Sequence, residues 1–203
     1  MMELDKLKLK KFECAVELLD ASKYLEVRRL YPLGDTPEFR RIYSNYYHLN
    51  VAHPSAQFID RYFDLLFSTE IESMQAPYSQ ILEELREFPS QNGNRSLQFS
   101  FVSKLMATRD ERKPVYDKHV RTFFGLSSLS YGDDDSRISK FTHQLNTLSA
   151  TYNAWEQDRN FKKILAKVRE KIPALNGCPA TRIADLLVYT VGKHHLNNSG
   201  GAA

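Results

Sequence analysis

The sequence predicts an all-α protein of eight to ten helices, and three observations point there. Apolar residues recur at three- and four-residue steps along most of the chain, the period of an amphipathic helix. Helix-start signals and Gly or Pro breaks divide these runs into lengths typical of helices. No β-hairpin signal, internal repeat or low-complexity block interrupts them.

Taken in order, Leu9, Phe12, Val16 and Leu19 define a first helix, and Ser22 opens a short one through Leu30. After the turn at Pro32-Leu33-Gly34-Asp35, Thr36-Pro37-Glu38 places Pro at the first helical position. That helix carries Phe39, Ile42, Tyr43, Tyr46 and Tyr47 beside Arg40 and Arg41, a mixture suited to a core with a rim or to stacking on bases. His53-Pro54-Ser55 starts the next, with Phe58, Ile59, Tyr62, Phe63 and Leu66 facing inward. Pro77 starts another, carrying Ile81, Leu82, Leu85 and Phe88. A polar loop then leads to Leu97–Leu126, which reads as helix, charged loop, helix. Beyond it, Ile138 to Trp155 and Phe161 to Ile172 give two more helices. The Asp133-Asp134-Asp135 run lacks the spacing of a Ca²⁺ loop and reads as a helix cap. A final helix through Ile183, Leu186, Leu187 and Val191 is expected to stop near Gly192. Residues 1–196 read as one helical unit with room for two lobes, and 197–203 as a flexible tail.

Composition narrows the class. At 42% hydrophobic and 12% aromatic, the chain can bury a core. No apolar run reaches membrane-spanning length, and MMELDKLKLKKFE lacks the apolar block of a secretory signal, so a cytoplasmic location is expected. Two cysteines, Cys14 and Cys178, allow neither a disulfide framework nor a four-cysteine metal site. The six histidines show no metal-ligand spacing, and no phosphate-loop or nucleophile-elbow pattern occurs, so neither a metal nor another cofactor is expected. The net charge of +3 is small, but the cations cluster: Lys6 to Lys11, Arg109 to Arg121, and Lys162 to Lys171.

The central stretch is the most informative. In its first helix, Leu97, Phe99, Phe101, Val102, Leu105 and Met106 gather on one side, and Ser96 is placed to cap it. The other side holds Ser100, Ser103, Lys104, Ala107 and Thr108: small side chains around one amine, open to close approach. Lys104 is thus either a surface lysine or the centre of a site. Asp117 opens the second helix, where it can cap the free N–H groups, and Gly125 closes it. A carboxylate held by backbone donors has a fixed orientation, which suits chemistry as well as capping.

Val115-Tyr116-Asp117-Lys118-His119-Val120, followed by Phe124-Gly125-Leu126, resembles the Asp-bearing segment of the helix-hairpin-helix DNA glycosylase superfamily. Phe101-Val102-Ser103-Lys104-Leu105 is similar to the lysine helix of its lyase-competent members. The likeness is to the branch related to 8-oxoguanine glycosylases. It covers roughly thirty residues, and the Gly-rich hairpin of most members is absent, with Asn92-Gly93-Asn94 the only turn nearby. The resemblance implies a helical fold with two lobes around a cleft. It also implies Lys104 as the Schiff-base amine and Asp117 as the activating carboxylate. Arg109, Arg112, Lys113, Lys118 and Arg121 around them would meet the phosphates of double-stranded DNA carrying a damaged or modified base. The alternative keeps the fold without the chemistry: a helical module that binds nucleic acid or a protein.

Overall fold

A computed structural model of the chain describes residues 4–198. In chain order it contains α1 (Lys6–Leu18), α2 (Ser22–Leu30), α3 (Pro37–Tyr47), α4 (Ala56–Phe67), α5 (Glu70–Ser73), α6 (Pro77–Arg86), α7 (Phe99–Arg109), α8 (Lys118–Phe124), α9 (Asp134–Gln157), α10 (Arg159–Lys171) and α11 (Ala180–Asn198). Among the described residues there is no strand, only an isolated bridge between Pro54 and Ser90. The protein is all-α. The eleventh helix is the single turn α5, too short for a periodic signal.

Most helices start where a side-chain oxygen accepts a bond from a first-turn N–H. Thr36 accepts from Phe39 N, Ser55 from Phe58 N, Asp117 from Val120 N, Asp133 from Ser136 N, and Asp158 from Asn160 N and Phe161 N. Gly125 ends α8 at φ 62°, a left-handed position that glycine adopts without a Cβ penalty.

The chain divides into two compact units. The middle unit, Ser22–Asp110, holds α2 to α7. Its core is an aromatic ladder of Phe39, Tyr43, Tyr47, Phe58, Tyr62, Phe63 and Phe101, all buried. Tyr43 and Tyr47 of α3 therefore serve packing, and Arg40 is held by Asp35 and Asp60 at 2.7 and 2.6 Å. The terminal unit, Met1–Ala21 with Glu111–Ala203, is built around α11, which packs on α1, α8 and α9. Phe12, Phe124, Tyr152, Trp155 and Phe161 form its aromatic centre, with Phe12 and Phe124 ring centroids 5.5 and 5.4 Å from Trp155. The Lys171 ammonium donates to the Val16 carbonyl at 2.7 Å, tying α10 to the end of α1.

Three boundaries differ from expectation. Ser96 does not cap α7: its hydroxyl accepts from the Gln98 side chain at 2.8 Å, and the helix starts at Phe99. α6 ends at Arg86, so Phe88 lies beyond it. α11 runs through Gly192 to Asn198. Gly192 marks close packing instead of a stop, because a Cβ there would meet the His119 Cβ at 2.7 Å. Of the expected tail, Asn197 and Asn198 belong to α11, and residues 199–203 lie outside the described residues.

Candidate functional site

Lys104 sits in the second turn of α7, in the middle unit. α7 is buried on nearly every side, including Ser103 and Ala107, so the small residues pack inward and do not form an open strip. Lys104 itself is 9% exposed. Its Nζ donates to the Tyr47 carbonyl at 3.0 Å and lies 5.8 Å from the Tyr47 ring centre and 5.7 Å from that of Phe101. Tyr47 is the last residue of α3, where carbonyls lack helical partners, so the amine closes that end. Two aromatic faces add cation–π attraction.

A chain of hydroxyls lies beside it. Thr108 donates to the Lys104 carbonyl at 2.8 Å and stands 3.3 Å from the Tyr43 hydroxyl. The Tyr43 and Tyr62 hydroxyls are 2.9 Å apart, and Tyr62 donates to the Phe101 carbonyl at 3.0 Å. Burial pushes both phenols well above the usual tyrosine range, so they act as neutral hydrogen-bonding groups. Arg109, one turn on, donates to the Leu66 carbonyl at 2.8 Å, at the end of α4, and reaches Glu72 at 3.4 Å.

Asp117 belongs to the terminal unit. Its Oδ1 accepts from Val120 N at 2.9 Å. Behind it lies a polar set absent from the sequence reading. The Asp185 carboxylate accepts from Val115 N at 3.0 Å and from Arg182 Nη1 at 2.9 Å, and Arg182 Nη2 donates to the Lys113 carbonyl at 3.2 Å. These two side chains of α11 therefore hold the segment that leads into Asp117. Both are buried, and burial pushes the Asp185 carboxyl up to about 6. The Tyr152 hydroxyl faces Asp185 without meeting hydrogen-bond geometry, and its phenol is raised by burial first and by the Asp185 charge second. Burial, then the nearby Asp117 charge, raises Tyr189. The available sequence signal was a charged pair three residues apart, Arg182 and Asp185, inside the otherwise apolar run of α11.

The cations named from the sequence have different surroundings. Arg112 and Lys113 are exposed in the segment before α8, and Lys118 is exposed in its first turn. Arg121 is half-buried and Arg109 is engaged with α4. Lys104 and Arg109 fall in the middle unit, and Asp117, Arg112, Lys113, Lys118 and Arg121 in the terminal one. The chain matches no family model, no curated protein and no solved structure.

Proposed function

We propose that the chain acts on double-stranded DNA as a base-excision glycosylase with lyase capacity, with Lys104 as its nucleophile. The burial of Lys104 carries the proposal. It is the one buried lysine among the described residues, and it is also the lysine singled out by the resemblance. Lysines are almost never buried without a specific role, and desolvated amines are the ones that serve as Schiff-base nucleophiles. For the chemistry, Nζ has to leave the Tyr47 carbonyl and lose a proton. Its lone pair then forms a bond to the sugar C1′ as the bond from C1′ to the base breaks. The base departs with the electron pair and takes up a proton. The nitrogen then loses a proton and its lone pair opens the ring as O4′ takes up a proton, leaving a protonated Schiff base, and removal of a C2′ proton expels the 3′ phosphate as the leaving group. Arg112, Lys113 and Lys118, exposed cations of the terminal unit, meet phosphates in this reading.

A specific observation also favours a non-catalytic binding module. The bond from Lys104 to the Tyr47 carbonyl, together with the two ring faces, favours the ammonium and gives it a structural task. Borohydride reduction separates the two. A glycosylase–lyase is trapped covalently on duplexes with an abasic site or 8-oxoguanine, and Lys104→Gln is not. If wild type is never trapped and releases no base from a lesion panel, the enzyme proposal fails and the binding module stands.

A further inference from the structure

We infer that the groove between α1 and α11 in the terminal unit docks an amphipathic, acid-flanked helix of a partner protein. It involves neither Lys104 nor Asp117 and stands independently of their chemistry.

α1 carries apolar side chains on two sides. Phe12, Ala15, Val16 and Leu19 face the core. Leu7, Lys11, Cys14 and Leu18 follow one another at steps of four, three and four, the spacing of a stripe that packs against another helix. Leu7 is 63% and Leu18 52% exposed, among the most exposed large apolar side chains of the described residues. Between α1 and α11 lies a groove of about 370 Å³, with Ala15, Thr190 and Val191 in its floor. The Thr190 hydroxyl donates to the Leu186 carbonyl at 2.8 Å within its own helix, so it is already satisfied.

Length and charge select the occupant. From Leu7 to Leu18 the stripe runs about 16 Å at 1.5 Å per residue, three helical turns. That length suits a helical ligand presenting apolar anchors at i, i+4, i+7 and i+11. Lys10 and Lys11 line the groove with His194 at its end, and among the described residues no acid lines it. Neither lysine is paired with an acid among the described residues. A helix with acidic flanks therefore meets opposite charge on entering. A second copy of α1 would set lysines against lysines, which opposes self-pairing.

The test uses the full-length protein and a synthetic 18-residue helix with leucines at those four positions and glutamates on both flanks, compared with its lysine-flanked counterpart. Two readouts are taken: anisotropy of the labelled peptide, and the rate of maleimide addition to the exposed thiol of Cys14, with buried Cys178 as internal control. The acidic peptide is expected to bind and to slow Cys14 modification. Leu18→Glu should weaken binding about tenfold or more, the scale of losing one interface anchor. The double variant Lys10→Glu/Lys11→Glu should reverse the preference toward the basic peptide. These side chains are on the surface, and circular dichroism of each variant verifies its helicity. The inference is overturned if the two peptides bind equally, if neither binds, or if Leu18→Glu leaves binding unchanged. It is also overturned if Leu18→Glu abolishes a self-association or an adhesion to phosphatidylglycerol vesicles shown by wild type, since those are different occupants.

Discussion

At Lys104 a buried ammonium donates to the last carbonyl of α3, so replacing the lysine removes that bond. A hydrogen bond to a charged group contributes roughly 1.5–3 kcal/mol. Lys104→Met should therefore destabilise the protein by about that amount in urea unfolding. Lys104→Gln, whose amide can still donate, should cost less. Equal stability of wild type and Lys104→Met would show that the Tyr47 contact carries no weight. Asp185 offers a second residue-level test. Its carboxyl stands near 6 in the folded protein against 3.8 for the free group, because burial outweighs the Arg182 charge and the Val115 N–H. Between those values the folded chain holds a proton that the unfolded chain has lost. The contribution to stability is thus fully present below about pH 4 and declines as pH rises through 6, by an amount on the order of 3 kcal/mol. Asp185→Asn, which keeps an acceptor for Val115 N, should remove that part of the slope. Parallel pH profiles for wild type and variant would count against it.

At the level of elements, much of the fold is legible in the chain because its cues are local. Thr36, Ser55, Asp117 and Asp133 each bond an N–H three residues on, so starting signals written in sequence become starts in space. What escapes is whatever depends on a neighbour far along the chain. The strip of Ser103, Lys104 and Ala107 reads as open, yet it is buried, and the Lys104 amine reaches back 57 residues to Tyr47. Arg109 reads as a phosphate ligand, but its guanidinium meets carbonyls at the end of α4, 43 and 44 residues away. Gly192 reads as a terminator for the same reason: the side chain that forbids a Cβ there, His119, belongs to α8. Gly192→Ala should keep the helix but force α8 and α11 apart, at a cost of about 1–3 kcal/mol for overpacking. The nearest atom is the His119 Cβ, so adding His119→Ala should bring no relief from that contact, whereas adding His119→Gly should recover part of the loss. A Gly192→Ala protein as stable as wild type would mean that the two helices yield without strain.

For the whole molecule, the charge is unevenly shared. The terminal unit carries 18 Lys and Arg against 14 Asp and Glu, net +4, and the middle unit 10 against 11, net −1. The net positive charge thus lies with the unit that contains Arg112, Lys113 and Lys118. Such a distribution favours electrostatic attraction of anions to the terminal unit. If duplex DNA is bound there, the logarithm of affinity should fall linearly with the logarithm of salt concentration, by close to one unit for each phosphate neutralised. Lys113→Ala/Lys118→Ala should weaken binding to any sequence and reduce that slope by about two. Arg109→Ala should leave the slope unchanged and lower stability instead, because its guanidinium is engaged with the Leu65 and Leu66 carbonyls. Fluorescence anisotropy over a salt series measures all three proteins on one duplex. A duplex affinity that ignores salt, or a slope that responds to Arg109 and not to Lys113 and Lys118, would remove the terminal unit from the DNA interface.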